Sequence, residues 1–120
     1  MLDGKGILLI VSGGIAAYKS LELVRLLQAR GASVRAILTA GGAHFVTPLS
    51  LAALTRNKVH EDLFSLTDEA EMGHIRLSRE ADLLLIVPAS ADFLAKMRAG
   101  LADDLATTVL LATDKPVMAA

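Results

Sequence analysis

The sequence predicts one α/β domain built on a parallel sheet that helices bury on both faces. Consecutive aliphatic residues with no polar interruption, Ile7 to Val11 and Leu83 to Val87, have the pattern of strands covered on both sides. Segments of helical period alternate with such runs, giving strand–helix–strand units that close by right-handed crossovers. The composition agrees: 53% of residues are hydrophobic but only 3% aromatic, so the core is aliphatic and alanine-rich.

A chain of 120 residues is one domain, large enough to bury a core of its own. Its excess of apolar residues also implies that other subunits cover part of its surface. The net charge of −1, with Lys and Arg scattered, excludes a basic stripe for nucleic acid or an acidic membrane surface. The absence of cysteine excludes disulfides and thiolate metal sites. Asp3 and Lys5 interrupt the first residues, so no secretory leader is read there. No apolar run approaches the roughly 20 residues of a membrane-spanning helix. A soluble cytoplasmic protein is the expectation.

The first strand is Ile7–Ser12. A helix follows from Ile15, with Leu21, Leu23, Val24, Leu26 and Leu27 at helical spacing and Gly31 as its stop signal. Ser33–Thr39 is a second strand that ends on a hydroxyl residue. A helical segment is expected from about Gly42 to Thr55, with a start or break near Thr47 because of Pro48. Lys58–Leu63 reads as a short third strand, and Ser65–Glu71 as a polar loop leading to Met72-Gly73-His74-Ile75-Arg76-Leu77. Asp82–Pro88 is the clearest strand after the first. A helix begins after Ala89-Ser90-Ala91-Asp92 and is interrupted at Gly100. Another, capped by Asp103 or Asp104, runs through Leu105, Val109 and Leu110 to Ala112. Pro116–Ala120 begins a further strand. A domain that ended inside a buried strand would be unusual, so residues 1–120 are expected to be a domain incomplete at its C-terminus.

Open α/β sheets bind ligands beyond the carboxyl ends of their strands, near the point where strand order reverses. Here Ser12-Gly13-Gly14, Thr39 and Pro88-Ala89-Ser90 place small or hydroxyl residues at such ends. Glycines let the backbone turn tightly and let an anion approach, and the first turn of the next helix presents unpaired N–H groups to it. The pattern is neither Gly-x-Gly-x-x-Gly, since Ala17 stands at the third position, nor a Walker loop before Lys19. Taken alone it reads equally well as a tight strand–helix turn in any α/β protein. With Thr39 and Ser90 it reads as a site for a mononucleotide phosphate. His74 could act as acid or base near neutral pH, although a lone histidine is more often structural. His44, His60 and His74 show no metal-ligand spacing, so no metal site is expected. Asp103-Asp104 reads as a helix cap, and Met72 and Met97 as core or interface filler.

The segments VSGGIAAYKSLELVRLL, FVTPLSLAAL, EMGHIRLSREADLLLIVPASAD and AGLADDLATTVLLAT, with the Thr39 strand end, cover almost the whole chain in order. Through them the chain resembles the flavin-dependent cysteine decarboxylases, in particular the phosphopantothenoylcysteine decarboxylase half of the bacterial coenzyme A biosynthesis flavoprotein. The resemblance implies a flavodoxin-like Rossmann fold, a three-layer sandwich around a parallel sheet, binding FMN. Ser12, Gly13, Gly14 and Ile15 would line the phosphate and ribityl side, with Thr39, Ser90 and Ala91 adding contacts. His74 matches the family's active-site histidine. In this family FMN oxidises the substrate's cysteine thiol to a thioaldehyde, the adjacent carboxylate leaves as carbon dioxide, and the electrons return to give 4′-phosphopantetheine.

The resemblance also implies homo-oligomers, trimers or dodecamers of trimers, sharing the cofactor site between subunits. Many relatives carry Asn where this chain has Asp92, the expected substrate-carboxylate contact. The family's substrate clamp and proton-donating cysteine would lie beyond Ala120. Two alternatives share the fold: a flavin prenyltransferase or peptidyl-cysteine decarboxylase, and a non-catalytic regulatory subunit that binds another protein.

Overall fold

The computed structural model describes residues 3–61, 80–88, 90–100 and 105–119. Five strands form one sheet: β1 (Gly6–Val11), β2 (Ser33–Leu38), β3 (His60–Glu61), β4 (Leu83–Ile86) and β5 (Val117–Ala119). Their spatial order is β3-β2-β1-β4-β5, and every pairing is parallel. The four helices of the described residues are α1 (Lys19–Ala29), α2 (Pro48–Thr55), α3 (Ala91–Ala99) and α4 (Leu105–Ala112).

The alternation of side chains along each strand explains the layers. Leu9, Val11, Val34, Ala36 and Leu38 point to one face and pack with Val24 of α1 and Leu51 of α2. Leu8, Ile10, Ile37, Leu84 and Ile86 point to the other and pack with Phe93 of α3 and Ala106 and Val109 of α4. From the centre the chain winds outward through β2 with helices on one face, and through β4 and β5 with helices on the other. Right-handed crossovers in opposite directions require that division. The expected three-layer sandwich is present, with β1 as its axis, buried from Ile7 to Val11.

Several boundaries differ from the sequence reading for local reasons. The segment after Gly14 opens as a 3-10 turn (Ile15–Tyr18) before α1 begins. The helix expected over 42–55 is split into a 3-10 turn (Gly42–His44) and α2. Pro48 forces its predecessor out of the helical region, so Thr47 is extended (φ −98°, ψ 149°) and its hydroxyl caps α2 by accepting the Ser50 N–H at 3.1 Å. Gly100, where the helix was expected to be interrupted, ends α3 in the left-handed conformation, φ 69°. The fourth strand is shorter than Asp82–Pro88. Asp82 instead clamps the start of β1, its Oδ2 accepting the Gly6 N–H at 2.7 Å. β5 forms where a final strand was expected, but as an edge strand whose Val117 and Met118 are exposed rather than buried. The third strand is described at His60 and Glu61, and Leu63 lies outside the described residues. So do the 65–77 segment with Met72 and His74, Ala89, and the Asp103-Asp104 pair. Among the described residues no helix is long and apolar enough to cross a membrane.

Candidate functional site

Strand order reverses at β1, between its neighbours β2 and β4, and a cavity of about 310 Å³ opens there beyond the carboxyl ends of the strands. Ser12 and Gly13 reach it from β1, Thr39, Ala40 and Gly41 from β2, and Ser90 from β4. Among the described residues, Phe93 and Lys96 of α3 also line it. The convergence of three strand ends expected from the sequence is therefore present.

Backbone contacts set the shape. A Cβ on Gly13 would lie 3.2 Å from the Gly41 carbonyl carbon, and one on Gly41 would lie 3.4 Å from Gly13 Cα. A side chain on Gly13 would press on Gly41, whereas one on Gly41 would make an ordinary contact, so Gly13 is the tighter of the two. Gly14 has φ 155° and ψ 152°, a conformation that L residues rarely adopt, and a Cβ there would meet Pro88 Cγ at 3.2 Å. Gly42 is buried directly above the end of β1, where a Cβ would run into the Val11 carbonyl oxygen.

The hydroxyls act as struts between these loops. Ser12 is buried, its hydroxyl donating to the Pro88 carbonyl and accepting the Ser90 N–H at 3.3 Å. That stitches the end of β1 to the end of β4. Thr39 is buried too, donating to the Val11 carbonyl at 3.3 Å and accepting the Gly42 N–H at 3.1 Å. Ser90 caps α3 by accepting the Phe93 N–H at 3.1 Å. Each hydroxyl expected at the site is thus present at the cavity, and those of Ser12 and Thr39 already spend their proton inside the protein.

Ile15 opens the 3-10 turn after Gly14, while Ala91 and Asp92 begin α3 beside Ser90. His74 lies outside the described residues. Sequence reasoning missed the contributions of Ala40, Gly41, Phe93 and Lys96. Two signals could have found them: Ala40-Gly41-Gly42 repeats after β2 the small-residue run that follows β1, and Ser90, Phe93 and Lys96 share one helix face at spacings of three.

His60 on β3 does not line this cavity. Burial, then Lys58, then Arg35 lower its pKa below the usual value of about 6.5. The unfolded chain therefore takes up a proton there more readily than the folded one. His60 contributes stability above about pH 6.5 that is lost as pH falls through the lowered folded value. A His60→Gln variant is expected to lose this part of the acid slope in thermal melts at stepped pH, and an unchanged slope would refute the assignment.

Known proteins align with the chain over nearly its full length. A family model described as Flavoprotein matches residues 1–120. The coenzyme A biosynthesis bifunctional protein CoaBC of Haemophilus influenzae is 49% identical over 119 residues, 99% of this chain but 30% of that protein. The chain thus spans less than a third of that relative's length. Among solved structures, the FMN-dependent cysteine decarboxylase SpaF superposes with a TM-score of 0.86 at 29% identity, over 98% of this chain and 69% of its own. A C175S mutant of PPC decarboxylase complexed with pantothenoylaminoethenethiol superposes at 0.73 with 36% identity, over 94% of this chain and 64% of its own.

Proposed function

The chain belongs to the Flavoprotein family, and on that premise we propose that it binds FMN and decarboxylates 4′-phospho-N-pantothenoylcysteine to 4′-phosphopantetheine, in the cytoplasm, as a step of coenzyme A biosynthesis. The observation that carries this reading is the end-to-end match of the chain to a protein named for that pathway. The cavity fits the phosphorylated end of a flavin. The Gly13 and Gly41 backbones approach closely enough that a Cβ on Gly13 would press on Gly41, and among the described residues no carboxylate lines the cavity.

In this reading the backbone N–H groups at Gly13, Gly14 and Ile15 receive the anionic end of the cofactor, where the first turn has no side-chain cap. Ser12 and Thr39 act through the loops they hold in register. Ser90 and Ala91 add contacts from the start of α3, and Asp92 beside them addresses the substrate. When bound, FMN supplies the reversible two-electron oxidation of the substrate thiol that lets carbon dioxide depart. His74 holds or moves the proton that this exchange requires.

Assembly into homo-oligomers, trimers by the family resemblance, belongs to the same proposal. Tyr18 and Leu26 near and on α1, and Leu49 on α2, are 58%, 52% and 79% exposed, apolar surface suited to cover by another copy. A peptidyl-cysteine decarboxylase is the second reading; the FMN-dependent cysteine decarboxylase SpaF superposes with the higher TM-score, 0.86 against 0.73.

The purified protein should be yellow and release FMN on denaturation. Protein that stays colourless and gains no flavin spectrum with added FMN would overturn the cofactor. Comparing turnover of phosphopantothenoylcysteine with that of a peptide ending in cysteine separates the two substrate readings. His74→Asn should keep FMN and lower decarboxylation by about 10²–10⁴-fold. An unchanged rate would remove His74 from the mechanism.

A further inference from the structure

We propose that Ser12 and Thr39 form one coupled brace, so that the affinity for FMN depends on the two hydroxyls jointly rather than on each by itself. This rests on the flavin reading above. It makes both positioning residues, which act on the cofactor through the loops they hold.

Both hydroxyls are committed within the protein, and the side chains are 1% and 5% exposed. Ser12 donates to the Pro88 carbonyl and accepts the Ser90 N–H at 3.3 Å. Thr39 donates to the Val11 carbonyl at 3.3 Å and accepts the Gly42 N–H at 3.1 Å. Ser12 thus ties the end of β1 to the loop after β4, and Thr39 ties it to the loop after β2. A hydroxyl has one proton to give, so neither donates to a bound anion without releasing a strand end. What these residues do for a ligand they do through backbone.

The two struts meet in a single peptide group. The Val11 carbonyl accepts both the hydroxyl and, at 3.1 Å, the N–H of Thr39. That carbonyl belongs to the planar unit leading into Ser12, and such a plane moves as one body. Loosening the β2 side therefore shifts the root of the Ser12 side chain, and loosening the β4 side frees the same plane to tilt. One residue further on, a Cβ on Gly13 would lie 3.2 Å from the Gly41 carbonyl carbon, so the loops after β1 and β2 are in contact as well as tied. Ser90 carries the constraint onward: its N–H is held by Ser12, and its hydroxyl accepts the Phe93 N–H at 3.1 Å at the start of α3. Bonds that share a backbone shift are not additive. Once one strut is gone, the other has less left to hold. Two separate contacts to a ligand would instead multiply.

The test is a double-mutant cycle in FMN affinity, read by flavin fluorescence, on Ser12→Ala, Thr39→Val and the pair, with a thermal melt of each. Each single variant should weaken FMN about tenfold. The pair should lose about thirtyfold at most, against about a hundredfold for independent contacts. Thr39→Ser, which keeps the hydroxyl, should recover most of the affinity. Thr55 is another buried hydroxyl, bound to the Leu51 carbonyl at 2.8 Å and outside the cavity lining. Thr55→Ala should lower the melting temperature and leave FMN affinity unchanged. Should Ser12→Ala not fold, Ser12→Cys takes its place in the cycle, its thiol being only a weak donor. Losses that multiply in the pair, wild-type affinity in either single variant, or an equal loss in Thr55→Ala would overturn the proposal and leave the flavin reading intact. Wild-type protein that binds no FMN would overturn both.

Discussion

The Gly42→Ala variant is expected to lose about 1–3 kcal/mol of stability, toward the upper end of that range, and most of its affinity for FMN. The added methyl group would run into the Val11 carbonyl oxygen and lie 2.9 Å from Leu38 Cδ1. The first neighbour is backbone of the central strand and cannot rotate away. The loop after β2 must lift instead. The Thr39 N–H bond to Val11 at 3.1 Å, the Thr39 hydroxyl bond to the same carbonyl and the Gly13–Gly41 contact are all tied to that loop. One methyl group therefore disturbs two walls of the cavity. Gly100→Ala is the control. That glycine has φ +69° with open space around it, so alanine there strains the end of α3 and lowers the melting temperature without touching flavin affinity. Thermal unfolding and flavin titration of both variants check the result. Gly42→Ala with wild-type affinity for FMN would show that the β2 loop is not part of the cofactor site.

Leu9→Ala is expected to destabilise the protein by about 2–5 kcal/mol. Leu9 is fully buried on the face that α1 and α2 cover, in the one strand flanked by the two longest ladders. Truncation removes apolar contacts and leaves a void that β1 cannot close by moving, because β2 and β4 hold it on both sides. Domains of this size have about 5–15 kcal/mol in total, so the variant should sit near the edge of folding at 37 °C. Urea titration gives the difference directly. A loss below about 1 kcal/mol would mean that the helices settle into the gap.

The sheet was legible because its strands are buried on both faces, which writes each of them as a run of aliphatic residues. The position of the cavity was legible for a related reason: small residues end β1, β2 and β4, and parallel strands carry those ends to one edge. Element boundaries were less so. The extent of the helix before Thr55 depended on how Pro48 constrains Thr47, a matter of two dihedral angles that periodicity does not carry. The burial of Ser12 and Thr39 was also hidden. A hydroxyl at a strand end looks available in sequence, and only the register of β1 against β2 and β4 shows what accepts its proton. Lys96 was overlooked because a lysine in a helix usually solvates a surface. Its place depends on which face of α3 turns to the sheet, a tertiary property.

The stitch from Ser12 to the Pro88 carbonyl and the Ser90 N–H bears on kinetics as well as shape. It holds the loops after β1 and β4 at their spacing through contacts made by the protein alone. The ordering entropy of those loops is thus settled when the chain folds, before any ligand arrives. An incoming anion meets walls already in position, so its on-rate follows diffusional encounter and electrostatic attraction rather than loop rearrangement.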